Sequence, residues 1–393
     1  MRVLALAHSF PRGADDPVGS FILRLAVALR SEGIDTRVIA PMAPGLARRE
    51  TFEGIEVRRF RYAPASWETL AYQGDLRDQA RSPLGMAKLS SFLVAEFVAG
   101  LLAARDFKPD IVHAHWVLPS GLVALALAGG WRVPLVTTSH GTDVRLARGN
   151  PVAGRVFAEV VRGADAVTMV SSWLAQQAKV LAPDVEPLVA PMPVLPDHFH
   201  PGSSRDGNRL LFVGKLNTQK GIGHLLHALS RMRARPTLEI VMGVGSERDH
   251  PATEALAQSL GVADRLRWFP LLSQADLVRR YQEATALVAP FEEEGLGLVP
   301  IEAQLCEAPV VGFASGGLTD IVRPEETGLL VPPGDVAALA AALDRLLALP
   351  DRGAGWGREG RRHALEAFGP AGAARRYAEL YRRLLGVGEA GHA

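Results

Sequence analysis

The sequence predicts an α/β protein made of two Rossmann-like domains in tandem, and three observations carry that expectation. Short apolar runs alternate with helix-length amphipathic stretches along almost the whole chain, the pattern of parallel strands covered by helices on both faces. The 393 residues exceed one ordinary core and suit two. A proline-crowded segment, 187–201, interrupts the alternation near its middle, and the pattern then restarts.

The elements follow in order. Residues 2–7 read as a buried strand, and Ser20 is placed to cap a helix over 21–32 that Gly33 ends. A strand at 36–40 precedes an arginine-rich alternating stretch within 46–62, which reads as a hairpin. The apolar segment 86–104 contains Lys88 and Glu96, so it reads as an amphipathic helix rather than a membrane span. Strands at 110–113, 133–138 and 166–170 alternate with helices at 121–130, 152–162 and 173–181. After the prolines, strands are expected at 209–213, 238–242, 265–269, 286–289 and 309–312, with helices at 221–233 and 335–349 and others between them. A last helix over 371–385 carries one apolar stripe. The expected division is 1–190 for the first domain, 191–208 for a linker, 209–370 for the second domain and 371–393 for a C-terminal helical segment.

Composition narrows the function classes. Apolar residues make up 48% of the chain and charged residues 22%, as in a folded globular protein. The net charge of +1 gives no domain-scale basic excess, so a nucleic-acid partner is not expected. A single cysteine, Cys306, excludes an intrachain disulfide. The first ten residues lack the length and cleavage site of a signal peptide, which fits a cytoplasmic location.

The strongest chemical signal is APFEEEGLGLVPIEA at 289–303. A strand ends there, an acidic turn follows, and Gly295 and Gly297 lead into a helix. The free N–H groups of that helix start, with Leu298 among them, make an anion site strengthened by the helix dipole. Glu302 sits about 7.5 Å beyond the helix start, the reach from a diphosphate to a ribose. Glu294 lies on the other side, where a sugar hydroxyl would sit. Earlier, LLFVGKLNTQKG ends a strand at Gly214 and sets Lys215 and Lys220 beside a helix start, two ammonium groups suited to a diphosphate. The glycine pair Gly316–Gly317 reads as further backbone donors or as a tight turn.

In the first domain, His113 and His115 fall at a strand end and are read as hydrogen-bonded packing histidines. His140, with Gly141 and Asp143, follows the next strand and is read as facing the ligand. The three histidines lack the matched ligand spacing of a zinc site. Gly19 precedes the first helix and resembles a phosphate loop only loosely. Arg48, Arg49, Arg58, Arg59 and Arg61 read first as a solvated face, and second as a hold for an acceptor phosphate or an anionic membrane surface.

At these residues the chain resembles glycosyltransferase family 4, the "group 1" retaining transferases of GT-B fold, over nearly its whole length. Glu294-Gly295-x-Gly297 with Glu302-Ala303 is similar to that family's paired-glutamate motif, GKLNTQKG to its basic diphosphate motif, and SHGTD and HAHW to its acceptor-domain motifs. The resemblance implies that Gly214, Lys215, Lys220, Gly295, Gly297 and Leu298 serve the diphosphate, with Gly19 in a loop over it. It implies that Glu302 binds the ribose and Glu294 the transferred hexose, and that His140 lies beside the donor sugar near the reacting carbon. By the same resemblance, His115 and Asp143 are assigned to the acceptor side and the last helix crosses back onto the first domain. Lys215 stands where the family usually has Arg, Leu296 where it has Phe and Asp320 where it has Glu. The expected donor is a UDP- or GDP-linked hexose, and the expected acceptor a lipid-linked sugar, a polysaccharide precursor or a small molecule. No cofactor or metal is expected, since two lysines neutralise the leaving group and no Asp-x-Asp occurs. Peripheral contact with the inner face of a membrane is a further expectation. Two rival readings are a nucleotide-sugar epimerase and a non-catalytic nucleotide-sugar-binding subunit.

Overall fold

The structure is a computed structural model that describes every residue except 14, 15, 17, 73–81, 203, 204, 206, 207 and 388–393. Parts of the expected linker and C-terminal segment therefore lie outside the described residues. The chain divides into two compact units: Met1–Pro193 together with Pro370–Ala393, and Val194–Gly369.

The first unit is built on an eight-stranded sheet. Its strands are β1 (Arg2–Ala7), β2 (Asp35–Pro41), β3 (Arg49–Phe52), β4 (Ile55–Phe60), β5 (Ile111–His115), β6 (Leu135–Ser139), β7 (Ala166–Met169) and β8 (Leu188–Val189). Their spatial order is β3-β4-β2-β1-β5-β6-β7-β8, and only the β3–β4 hairpin is antiparallel. The order reverses between β1 and β5, the place where open α/β sheets bind ligands at their carboxyl edge. Helices α1 (Ser20–Leu29), α2 (Pro83–Phe107), α3 (Leu122–Trp131), α4 (Thr142–Gly149), α5 (Pro151–Arg162) and α6 (Ser172–Leu181) join the strands. The apolar residues Val3–Ala7 of β1, Val38–Ala40 of β2 and Ile111, Val112 and Ala114 of β5 are buried, as parallel strands covered on both faces require.

Two local expectations change. Ser20 does not cap α1; Gly19, with a left-handed backbone, is the cap residue and Ser20 is already helical. The basic hairpin is not an open anion site. Arg58 and Arg37 hold Asp106, and Arg37, Arg49 and Arg58 surround Glu56. Arg59 is buried against Glu50, Tyr72 and backbone carbonyls, and Arg61 pairs with Glu68. Their charge is spent within the fold.

Helix α2 buries Phe92, Ala103, Ala104 and Phe107 in the core it shares with α3. Each phenyl ring so removed from water contributes about 2 kcal/mol. Glu96 is fully buried on the same inward face, bonded through Oε1 to the Ser120 hydroxyl, while its Oε2 has no partner. Burial pushes its carboxyl from 4.5 up to about 8, against the lowering effect of Ser120. Between those values the folded chain keeps a proton that the unfolded chain has lost. Stability therefore falls as pH rises through that window, by about 1.4 kcal/mol per pH unit from this group. Glu96→Gln keeps the bond from Ser120 and removes the titration. Its melting temperature, measured from pH 5 to pH 8, is expected to fall less than the wild type's; an unchanged slope would show that Glu96 is not the buried acid described.

Helix α14 (Pro370–Leu384) closes the first unit. Ala374, Tyr377 and Tyr381 on its apolar stripe are buried. The Tyr381 hydroxyl meets His113 Nδ1 at 2.7 Å, while His113 Nε2 meets Thr138 Oγ1 at 2.7 Å. The Tyr377 hydroxyl donates to the Ala190 carbonyl and lies beside Thr138 and Thr168. Burial lowers His113 to about 3, so its ring is neutral at pH 7.

The second unit carries a six-stranded, wholly parallel sheet in the order β11-β10-β9-β12-β13-β14. These are β9 (Arg209–Gly214), β10 (Thr237–Met242), β11 (Leu266–Phe269), β12 (Ala286–Ala289), β13 (Val310–Phe313) and β14 (Gly328–Val331). The reversal here falls between β9 and β12. The helices are α7 (Ile222–Arg231), α8 (His250–Ser259), α9 (Gln274–Glu283), α10 (Leu298–Leu305), α11 (Leu318–Ile321), α12 (Val336–Ala348) and α13 (Ala354–Phe368). The unit begins inside the expected linker: Val194 N donates to Phe368 O and Phe199 packs on Tyr281.

Candidate active site

In the second unit, the loops after β9 and β12 meet at the sheet's reversal point. The first loop leaves β9 at Gly214, passes Lys215 and forms a short turn over Thr218–Lys220, capped by the Asn217 side chain. Gly221, with φ of 68°, then opens α7. The second loop runs from Pro290 to Gly297, the cap residue of α10. Glu292 N donates to Gln219 O at 2.8 Å and ties the loops together.

Between the loops, Lys220 Nζ stands 2.8 Å from Glu294 Oε2, with about one fifth of each side chain exposed. The ammonium also lies 4.4 Å from the centre of the Phe291 ring, a cation–π contact. Gln219 Nε2 reaches the same carboxylate at 3.4 Å. Lys215 is exposed and forms no ion pair among the described residues. Gly295 and Gly297 are buried where Glu294 gives way to α10, and Leu298 is the helix's first residue. Glu302, one turn further on, accepts a hydrogen bond from the buried Tyr281 hydroxyl at 3.1 Å. The structure thus gathers Lys220, Glu294, Gly295, Gly297 and Leu298 at one edge, with an ammonium, a carboxylate and a helix start that suit an anion joined to a polyol.

The glycine pair acts differently from a set of further donors. Gly317 N donates to Glu294 O at 2.8 Å, and a Cβ at Gly316 would overlap the Glu294 backbone. Gly316–Gly317 therefore packs behind the Glu294 turn and holds it in place.

In the first unit, the carboxyl ends of β1, β5 and β6 bring together His8, Trp116 and His140. The His8 and Trp116 rings meet edge-on at 4.0 Å, and Trp116 and Phe21 lie 4.6 and 4.7 Å from the His140 ring. His115 Nδ1 is 3.2 Å from His140 Nε2. Burial, with neighbouring histidines adding to it, holds His115 and His140 well below 6.5, and burial brings His8 to about 4. All are neutral at pH 7, so His140 offers hydrogen bonding rather than charge. Asp143 is buried and accepts bonds from Ser139 Oγ and from the backbone N–H groups of Val117, Gly141 and Val144. Its carboxylate orders the loop that carries His140. Gly19 caps α1 at a point where an added Cβ would lie 2.7 Å from the Ser9 carbonyl oxygen. Sequence reasoning missed His8, Phe21 and Trp116, although His8 follows the first strand as His140 follows the sixth. Among the described residues, no group of three or more His, Cys, Asp or Glu side chains is placed to hold a metal ion.

Two doubly wound, largely parallel sheets, each with its polar loops at the carboxyl edge of the reversal point, make up the GT-B fold. A family model described as "Glycosyl transferases group 1" matches residues 196–363, and one described as "Glycosyl transferase 4-like domain" matches residues 18–191. The chain belongs to the group 1 glycosyltransferases. It is 37% identical over 272 residues to the D-inositol 3-phosphate glycosyltransferase of Frankia alni, a match covering 61% of this chain and 66% of that protein. It is 31% identical over 411 residues to the protein of that name from Kineococcus radiotolerans, covering 92% and 89%. Among solved structures, sucrose-phosphate synthase from Thermosynechococcus elongatus shares the fold with a TM-score of 0.80 at 24% identity, over 99% of this chain and 100% of that one.

Proposed function

We propose that this glycosyltransferase moves a hexose from a UDP- or GDP-linked donor to an acceptor hydroxyl, with retention of anomeric configuration and without a metal. The observation that carries the reading is the Lys220–Glu294 pair set against the start of α10. Donor phosphates, doubly charged, compete with the single carboxylate for the ammonium. Lys220 then passes to the pyrophosphate, and Glu294 is released to accept a bond from a hydroxyl of the hexose. Lys215 adds the second positive charge and the α10 amides the rest. In this mechanism the bond between the anomeric carbon and the β-phosphate oxygen breaks, with its electron pair going to the phosphate. The acceptor oxygen bonds to the same face of that carbon, and its proton goes to the departing phosphate. Neutral His140, held by His115, presents a hydrogen-bonding ring rather than a competing cation.

The name D-inositol 3-phosphate glycosyltransferase, shared by several relatives, supports a phosphorylated polyol as acceptor, and a cytoplasmic location is proposed with it. Glu302, whose carboxylate accepts a bond from the Tyr281 hydroxyl, is the acceptor proposed for a ribose hydroxyl.

The test is a thermal-shift series with UDP-glucose, UDP-N-acetylglucosamine, GDP-mannose and the free diphosphates, followed by product analysis on inositol phosphate, hexose phosphate and lipid-linked acceptors with EDTA present. A ligand at 100 times its dissociation constant stabilises the fold by about 2.7 kcal/mol. One donor class is expected to raise the melting temperature and to yield an α-linked product from an α-linked donor. An inverted product, or turnover abolished by EDTA, would overturn the corresponding part of the mechanism.

A further inference from the structure

Helix α2 is 25 residues long and, by length and composition, apolar enough to cross a membrane, yet it lies along the first unit's sheet. Its outward face is the anomaly. From Leu89 to Ala104 the only ionisable residue is Glu96, and Glu96 points inward. The residues left outside are Leu84, Met86, Val94, Val98, Leu101 and Leu102, with Val94 64% and Leu102 54% exposed. Helix α14, in the same unit, shows the usual arrangement: its outer positions are Arg375, Glu379 and Arg383.

Helix α3 extends the patch. It has no ionisable residue, packs on the same core as α2, and approaches so closely that a Cβ at Gly100 would lie 2.5 Å from Leu127. Both helices cover one face of the sheet, so their outer surfaces, including the half-exposed Leu122, form one continuous uncharged area. From Leu89 to Ala104 it runs about 24 Å along α2. Contiguous patches of this kind, rimmed by charge, mark contact with another phase or molecule.

The rim identifies the occupant. Exposed Arg105 and Lys108 end α2 and exposed Arg132 ends α3, all at the amino edge of the sheet where the chain enters β5 and β6. None of the three forms an ion pair among the described residues. The acids nearby are engaged: Asp106 by Arg37 and Arg58, and Asp110 by the backbone N–H of Arg2. At the other end, Trp67 is 52% exposed beside Lys88. Apolar residues flanked by cations and an amphipathic ring, with the nearby acids engaged, match the surface of an anionic bilayer. A two-fold pairing of this face with itself would double the basic rim without supplying an acid to answer it.

We propose that the outer face of α2 and α3 is a docking surface for an anionic phospholipid bilayer, on which the protein rests peripherally. The apolar side chains enter the headgroup boundary while Arg105, Lys108 and Arg132 meet lipid phosphates. The carboxyl edge bearing His140 lies at the opposite end of these helices from the basic rim and stays clear of it. This surface is separate from the donor and acceptor residues, so its test is independent of the transfer reaction.

The experiment is co-sedimentation of the full chain with vesicles of phosphatidylcholine alone or mixed with phosphatidylglycerol, and light scattering without lipid. Binding to the mixed vesicles is expected, weakening as salt rises, with little binding to the neutral ones. Val98→Glu with Leu102→Glu, both on the exposed face, should lower the vesicle-bound fraction at least about ten-fold while melting temperature and turnover of a soluble acceptor stay at wild-type values. Arg105→Ser and Arg132→Ser should each weaken binding about five-fold on mixed vesicles. Equal binding to neutral and anionic vesicles, binding that survives the paired glutamates, or a lipid-free dimer that the glutamates dissolve would overturn the proposal, the last by showing the face to be a self-interface.

Discussion

Lys220→Ala is expected to lower kcat by about two to three orders of magnitude while the protein stays folded. The ammonium is the cation that Glu294 orients at the meeting of the β9 and β12 loops, and no other described cation touches that carboxylate. Charge on a leaving diphosphate grows as its bond to the sugar breaks, so a group aimed there contributes more in the transition state than in the bound donor. The loss should therefore appear mainly in kcat. Stability should barely change, because Glu294 is partly exposed and hydrates once its partner is removed, and such pairs are worth about 0–1 kcal/mol. Lys220→Arg should recover part of the rate, since charge is kept and geometry altered. Turnover of the alanine variant within a few-fold of wild type, with the melting temperature unchanged, would remove Lys220 from the chemistry.

Gly221→Ala is expected to destabilise the second unit by more than about 3 kcal/mol. Two causes add. The left-handed backbone at φ 68° costs a side-chain-bearing residue about 1–2 kcal/mol. A Cβ there would lie 1.9 Å from the Pro290 carbonyl oxygen, so the β12 loop must move to admit it. Because that loop carries Glu294, the surviving folded fraction should also bind donor poorly. Gly223→Ala is the internal control. Gly223 sits in α7, its added methyl would come no closer than 3.9 Å to Leu256, and alanine in a helix is favoured over glycine by about 0.5–1 kcal/mol. Opposite shifts in melting temperature two residues apart are the expected result; a tolerated Gly221→Ala would mean that the close approach to Pro290 does not exist in solution.

The parts of this architecture readable in advance were those fixed by local pattern. Apolar runs such as 286–289 and the alternation along the hairpin fell where strands form, because burial on two faces leaves a short uninterrupted signature. The paired lysines and glutamates were legible because loops after parallel strands gather at one edge by topology alone. What the sequence did not yield depends on distant partners. Helix α4 spans only eight residues, too few for its Val144–Ala147 pair to stand out as a stripe, and its start is held by the Asp143 carboxylate. The hairpin arginines looked like an open basic patch because Asp106, forty-eight residues from Arg58, is invisible to local reading. Gly316–Gly317 resembled a ligand loop, and only the fold shows it pressed against the Glu294 turn. His8 and Trp116 meet through strand order, which no spacing in the chain encodes.

The place of α14 has a consequence for how the chain is made. During synthesis, residues 194–369 emerge as one uninterrupted stretch that holds every strand and helix of its own unit. The amino-terminal unit emerges earlier yet lacks the tyrosines that meet His113, Thr138 and Thr168 until the closing helix leaves the ribosome. The half translated first is therefore the half completed last, and for that interval the side of α1 against which α14 packs stands uncovered, open to whatever chaperone or neighbouring nascent chain reaches it.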